Sequence, residues 1–202
     1  MNAEPLPDEV EPVPDWMRPP AGGFTVEQYL ALPGLPEHTE LIDGGLVFVS
    51  PQAQWHSRVI SLFERELDEQ APQEFRAIHE MAVRLGKYQM PEPDVVVVTA
   101  EAYDREPAST YYRADDVLLA VEAVSPESAD RDRETKPLKY AKAGIQHYWR
   151  VERRDDDAIV YTYQLDLETQ SYALVGIFHE RLTTLVPFPI DLDLTAVCRR
   201  KR

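Results

Sequence analysis

Two carboxylates stand inside runs of residues that belong in a buried sheet. Asp94 directly precedes four valines in "PEPDVVVV", and Glu122 interrupts the apolar run of "DVLLAVEAVS". An ionised carboxylate in such a place is costly unless it is paired or binds a metal. The two acids are 28 residues apart with a loop between them, which suits neighbouring strands. Brought together at low dielectric they repel, unless one is protonated or a cation lies between them. A hard divalent ion such as Mg²⁺, with Mn²⁺ as a substitute, resolves the conflict. One or two carboxylates hold it, and water and phosphate oxygens fill the other positions. Plainer readings exist for each acid. Pro93-Asp94 has the composition of a turn before a strand, and Glu122 has Arg84 and Arg113 as salt-bridge candidates.

The elements that must position these residues are legible in outline. "FTVEQYLAL" opens with a capping box, Thr25 and Gln28, and predicts a short helix. "TELIDGGLVFVS" is two apolar runs around Asp43-Gly44, the pattern of a hairpin. In "WHSRVISLFERELDEQA", Val59, Leu62, Phe63 and Leu67 recur near helical spacing. Three strand-like segments follow: "FRAIHEMAVRL" with room for a break, "PDVVVV" and "DVLLAVEAVS". The polar stretch "TAEAYDREPASTYYRAD" between the last two has room for one helical turn. "RDRETKPLKYAKAG" predicts a helix closed by Gly144. "IQHYWRVE" is a strand, and "AIVYTYQL", "SYALVGIF" and "RLTTLV" predict a closing antiparallel meander. The order helix, three strands, helix, strand gives an α/β (α+β) domain with a mixed sheet. We assign it to residues 24–197, between an acidic, proline-rich tail at 1–23 and a basic tail at 198–202.

Bulk properties narrow the function classes. A chain of 202 residues is enough for one domain with a real core. The single cysteine, Cys198, excludes a disulfide framework and a cysteine-based zinc site, and fits a reducing cytoplasm. No stretch has the roughly 20 apolar residues of a membrane span, and the N-terminus lacks the basic start and apolar run of a signal peptide. Trp16 and Met17 are the large apolar pair of the tail, either docking on the domain or a partner subunit or simply exposed. The net charge of −15 argues against a broad nucleic-acid footprint. From Asp130 to Arg154, however, eight Lys or Arg stand against four Asp or Glu, a local basic patch that keeps nucleic acid in view.

With Pro93-Asp94, then Glu122-Ala123-Val124, then a downstream Lys136, the chain resembles the PD-(D/E)XK nuclease superfamily. More closely, "ELIDGGLV", "PEPDVVVV", "VEAVSPES" and "RDRETKPLKYAKAGIQHYWRVE" resemble the Uma-type family of bacterial restriction endonucleases, over about Phe24 to Leu194. There is one departure. The superfamily lysine follows the second acid with one residue between them, where this chain has Val124. The resemblance moves that role to Lys136, ahead of Lys139 and Lys142. Lys136 precedes Pro137, so non-helical geometry at a helix N-terminus is expected for it.

The resemblance implies a Mg²⁺-dependent endonuclease acting on nucleic acid, with DNA the expected substrate. Asp94, Glu122 and the backbone carbonyl of Ala123 would ligate the ion. Lys136 would orient the attacking water or stabilise the developing charge. Glu40 would be a further acidic site residue, binding a second ion or its water shell; the plainer reading is a strand-edge glutamate in a salt bridge. His56, at the start of the long helix, could face the site but is expected to be exposed or a cap, and Tyr140, Tyr148 and Trp149 are expected to be packing residues. A homodimer through the apolar edges of the meander suits two-strand cleavage. The competing readings are a decayed nuclease fold that only binds nucleic acid or protein, and a glycosidase using the two acids. The glycosidase reading lacks an aromatic sugar platform near them.

Overall fold

Four consecutive valines are buried on both faces of one strand, and that double burial sets the architecture. The structure, a computed structural model, describes residues 14–50, 52–106, 109–155 and 157–197. The chain before Pro14 and the basic tail from Cys198 lie outside the described residues.

The order is α1 (Val26–Leu30), β1 (Glu40–Ile42), β2 (Gly45–Val47), α2 (Gln54–Gln70), β3 (Phe75–His79), β4 (Ala82–Arg84), β5 (Val95–Thr99), α3 (Ala100–Tyr103), β6 (Tyr111–Arg113), β7 (Val117–Ala123), α4 (Lys136–Lys142), β8 (His147–Arg154), β9 (Asp157–Asp166), β10 (Ser171–His179), β11 (Arg181–Thr184) and β12 (Ile190–Asp193). Six strands form a mixed sheet in the order β10-β9-β8-β7-β5-β3. β7 and β8 pair in parallel and the other neighbours are antiparallel. The expected helix, three strands, helix, strand order is present as α2, β3, β5, β7, α4, β8, and the fold is mixed α+β as read from the sequence.

Alternation along the strands divides the core. Val95, Val97, Leu119, Val121, Trp149 and Val151 pack against α2 and the C-terminal strands. Val96, Val98, Ala120 and Tyr148 pack on the other face with Tyr140 of α4 and Ile145. Glu122 shares the parity of Ala120, so it points towards α4 rather than α2.

Several local expectations hold. The capping box at Thr25 and Gln28 is formed. The β1–β2 hairpin turns through Asp43 and Gly44, both with positive φ. The first strand segment does break, at Glu80 with φ 48°, between β3 and β4. Trp16 and Met17 form a half-buried turn. "RLTTLV" does not extend the meander, because β11 pairs with β12 as a separate ribbon. β10 is left as a sheet edge with Leu174, Val175 and Ile177 half exposed. Among the described residues no helix is long and apolar enough to cross a membrane.

Candidate active site

The β5–β7 register brings the two acids together. Val95 lies opposite Val121 and Val96 opposite Ala120. One more place along this antiparallel pair puts Asp94 opposite Glu122. Asp94 is held from two sides. Its Oδ2 accepts the Ala123 N–H at 2.6 Å, and its Oδ1 lies 3.1 Å from His56 Nε2. His56 is 5 % exposed, on the first turn of α2, whose N-cap is Ala53. It is therefore neither an exposed histidine nor a cap. Its Nδ1 is buried without a partner. Burial lowers the His56 pKa, but the hydrogen bond and charge of Asp94 outweigh burial and leave it raised.

Lys136 is the centre of the arrangement. It is 4 % exposed, with Nζ 2.9 Å from Glu40 Oε1, 3.0 Å from Glu122 Oε2 and 3.5 Å from Asp132 Oδ1. Tyr140 donates its hydroxyl to the other Glu122 oxygen at 2.6 Å. Glu40 Oε1 also accepts the Glu92 N–H at 2.8 Å. Burial pulls the lysine pKa down, but the charges of Glu122, Glu40 and Asp132 outweigh it and hold the value well above that of ordinary lysine. Burial raises Glu122 well above the usual carboxylate value, against the pull of Lys136. Asp132 is also raised, through burial first.

The local geometry of Lys136 departs from expectation. A π-helical stretch, Arg131–Thr135, runs directly into α4, and Lys136 itself is helical at φ −62°, ψ −44°. Its N–H bonds to the Arg131 carbonyl, five residues back. Pro137 has no N–H, and its ring would crowd the carbonyl four residues earlier in a regular α-helix. The wider π-turn relieves that clash, so the helix passes through the proline instead of starting at it. This keeps Asp132, Lys136 and Tyr140 at four-residue spacing on one face, towards Glu122.

These groups line a cleft of about 330 Å³ that includes Glu40, Glu92, Asp94, Glu122, Asp132 and Lys136, with Ala123, His56 and Arg131 in its walls. Glu40, Asp94, Glu122, Ala123 and Lys136 are thus together. Lys139 is not among them, since it pairs with Asp43 at 2.5 Å, and Lys142 is exposed outside the cleft. Neither arginine considered for Glu122 is its ion-pair partner: Arg84 pairs with Glu27, and among the described residues the cation on Glu122 is Lys136.

The basic patch is also weaker than its sequence count. Acids from outside that stretch compensate two of its lysines, Glu40 and Glu122 for Lys136 and Asp43 for Lys139. Asp132 and Tyr140 were not singled out in the sequence as site residues, and His56, weighed there as able to face the site, was read instead as exposed or a cap. Asp132 sits in a string of alternating charges, and its available signal was the helical spacing to Lys136 and Tyr140.

The donor chemistry fits a hard divalent ion. Each oxygen of Asp94 and Glu122 has one partner in the protein, and a carboxylate oxygen can accept two. Among the described residues no three or more His, Cys, Asp or Glu side chains form a ready-made metal cage. An ion that keeps most of its water needs only one or two of these carboxylates.

Over residues 26–196 the sequence matches the family described as "Uma2: Putative restriction endonuclease". No curated protein matches it. Among solved structures, the chain is similar to a protein from Anabaena variabilis ATCC 29413 described as "a putative nuclease belonging to DUF820". The two share 19% identity, the alignment covers 86% of this chain and 97% of that one, and the TM-score is 0.70. At that identity the likeness speaks for the fold.

Proposed function

The chain belongs to the Uma2 family of restriction endonuclease-like proteins, and from that premise we propose that it is a Mg²⁺-dependent endonuclease that hydrolyses phosphodiester bonds in DNA. The observation that carries this reading is the lysine among acids at one end of two paired strands, with Lys136 bonded to Glu40 and Glu122 beside Asp94. Asp94, Glu122 and the Ala123 carbonyl would hold the ion. When bound, it would supply a water of lowered pKa and neutralise charge on the phosphoryl group.

The chain's own side chains do the rest. His56 and the Ala123 N–H hold the Asp94 carboxylate in one orientation. Tyr140 does the same for Glu122. Lys136 places a positive charge where negative charge develops on the phosphoryl oxygens, and Arg131 adds a second cation to the wall. Glu40 anchors Lys136 between turnovers. An adjoining cleft of about 610 Å³ shares Gln52, His56, Ser125 and Glu127 with the first. Together the two make a groove longer than a single phosphate needs, which favours a polymer substrate. Cutting both strands of a duplex asks for two sites, and we assign the contact between two copies to the half-exposed apolar side chains of β10.

The reading is tested by incubating supercoiled plasmid with the protein in Mg²⁺ or EDTA. Wild type is expected to nick and linearise it only with Mg²⁺, and Asp94→Asn to leave it intact while folding normally. A second reading, a nuclease fold that binds without cutting, is favoured by the net charge of −15. It is separated by the same assay, because it requires intact plasmid under all conditions.

A further inference from the structure

In this structure the acid cluster already contains a cation, and that cation is part of the chain. Three carboxylates surround the ammonium group of a side chain only 6% exposed, Glu40 and Glu122 at 2.9 and 3.0 Å and Asp132 further off at 3.5 Å. Glu122 has one oxygen on Lys136 and the other on Tyr140. An ion bound to the Glu122 oxygen that Lys136 holds at 3.0 Å would lie within about 5 Å of the ammonium, taking a metal–oxygen distance near 2.1 Å. At that separation a double charge and a single charge repel appreciably, even at the effective dielectric of a protein rim.

We propose that the divalent ion and the Lys136 ammonium compete for the same carboxylates, so that Lys136 is a resident counter-ion that the metal displaces from Glu122. This rests on the ion site of the functional reading and adds an order of events to it. Without the ion, Lys136 neutralises the buried acids and holds the cleft together. When the ion takes over Glu122, the flexible lysine stem swings towards the cleft mouth, where a phosphate would sit. The ammonium is thereby presented to substrate only when the ion is in place. Asp132 supports the same view. Its Oδ1 is buried without a hydrogen bond, 3.5 Å from the Lys136 ammonium, so the one ammonium does not fully compensate the carboxylates gathered around it.

Two measurements test this. The first is calorimetric titration of Mn²⁺ into wild type and Lys136→Met, which keeps an apolar stem and removes the charge. The variant is expected to bind at least about tenfold tighter, because a repelling unit charge is gone. It is also expected to melt earlier than wild type without the ion and to recover most of that loss with it. Equal or weaker binding by a folded variant overturns the proposal.

The second measurement uses wild type alone and decides the matter if the variant does not fold. Limiting acetic anhydride is applied with and without saturating Mn²⁺, and each lysine is read by peptide mass spectrometry with Lys87, Lys139 and Lys142 as internal references. Lys136 is expected to be protected without the ion and to be acetylated with it. Continued protection at saturating Mn²⁺ overturns the competition and leaves the nuclease reading standing. Failure of both proteins to bind Mn²⁺ overturns both.

Discussion

Tyr140 donates to a carboxylate that has no water to turn to, since Glu122 is 1 % exposed. Tyr140→Phe removes that donor and little else. It is expected to cost about 1–3 kcal/mol, the usual penalty for stranding a buried acceptor. In a urea titration the midpoint should fall with an unchanged slope. An unmoved midpoint would mean that the hydroxyl does not hold Glu122. A second expectation concerns His147, a buried β8 residue whose pKa burial lowers from 6.5. As pH falls below 6.5 the unfolded chain takes up a proton there that the native state refuses. Stability from this residue is therefore full above that pH and is lost as pH drops through it. His56, with a raised pKa, has the opposite sign: its contribution is present at low pH and is lost as pH rises through its folded value. Melting temperatures of wild type and His147→Gln between pH 7 and 5 should converge on acidification, because only wild type has the His147 loss. Asp94, Glu122, Lys136 and Glu40 were legible because an acid inside an apolar run is conspicuous, and because the motifs around them are distinctive. Asp132 and Tyr140 were not. In sequence, a buried aspartate among "RDRETK" looks like a solvated charge, and a tyrosine hydroxyl's partner depends on a contact 18 residues away.

At the scale of elements, the hairpin that carries Glu40 depends on two glycines meeting backbone to backbone. Gly44 has φ +76°, and a Cβ there would stand 2.8 Å from the Gly23 Cα. Phe24 N–H also bonds the Gly44 carbonyl at 2.8 Å, so the two segments cannot part without losing it. Gly44→Ala is expected to destabilise the fold by about 1–3 kcal/mol, from positive φ and the close approach together. Plasmid cleavage should fall with it, since β1 holds Glu40 against Lys136. Thermal melts and the cleavage assay check the pair, and a variant as stable and active as wild type would refute the role of this turn. The hairpin itself was readable from Asp43-Gly44, because positive-φ turns demand such residues. The π-turn was not. Pro137 read as a helix start, and the chain instead absorbs it by widening one turn, a solution favoured by the contacts of Asp132, Lys136 and Tyr140 on the same face. The order of elements along the chain was legible from alternation and run length. The pairing of β11 with β12 as a separate ribbon was not, because a short strand with one apolar side chain pairs equally well with either neighbour by pattern alone.

For the whole molecule, charge decides how a polyanion could approach. The chain has a net charge of −15, and much of its local basic excess is neutralised by its own acids. DNA affinity is therefore expected to be weak in EDTA and to strengthen with Ca²⁺, with a shallower salt dependence than a basic binder shows. Fluorescence anisotropy of a labelled duplex checks this, and tight binding in EDTA would contradict it. The same charge disfavours contact between copies except where charge is absent. β10 has no Asp, Glu, Lys or Arg from Ser171 to His179 and forms a sheet edge. Sedimentation should find a dimer that Val175→Lys disrupts, and an unaltered assembly would rule out this edge. The central claim is that Asp94 and Glu122 hold a divalent ion, and a crystal soaked in Mn²⁺ tests it most directly. The account expects an anomalous peak in the cleft, about 2.0–2.2 Å from an oxygen of each of the two carboxylates, with Lys136 drawn away from Glu122. A cleft without a peak at saturating Mn²⁺, with Lys136 still bonded to Glu40 and Glu122, would contradict it.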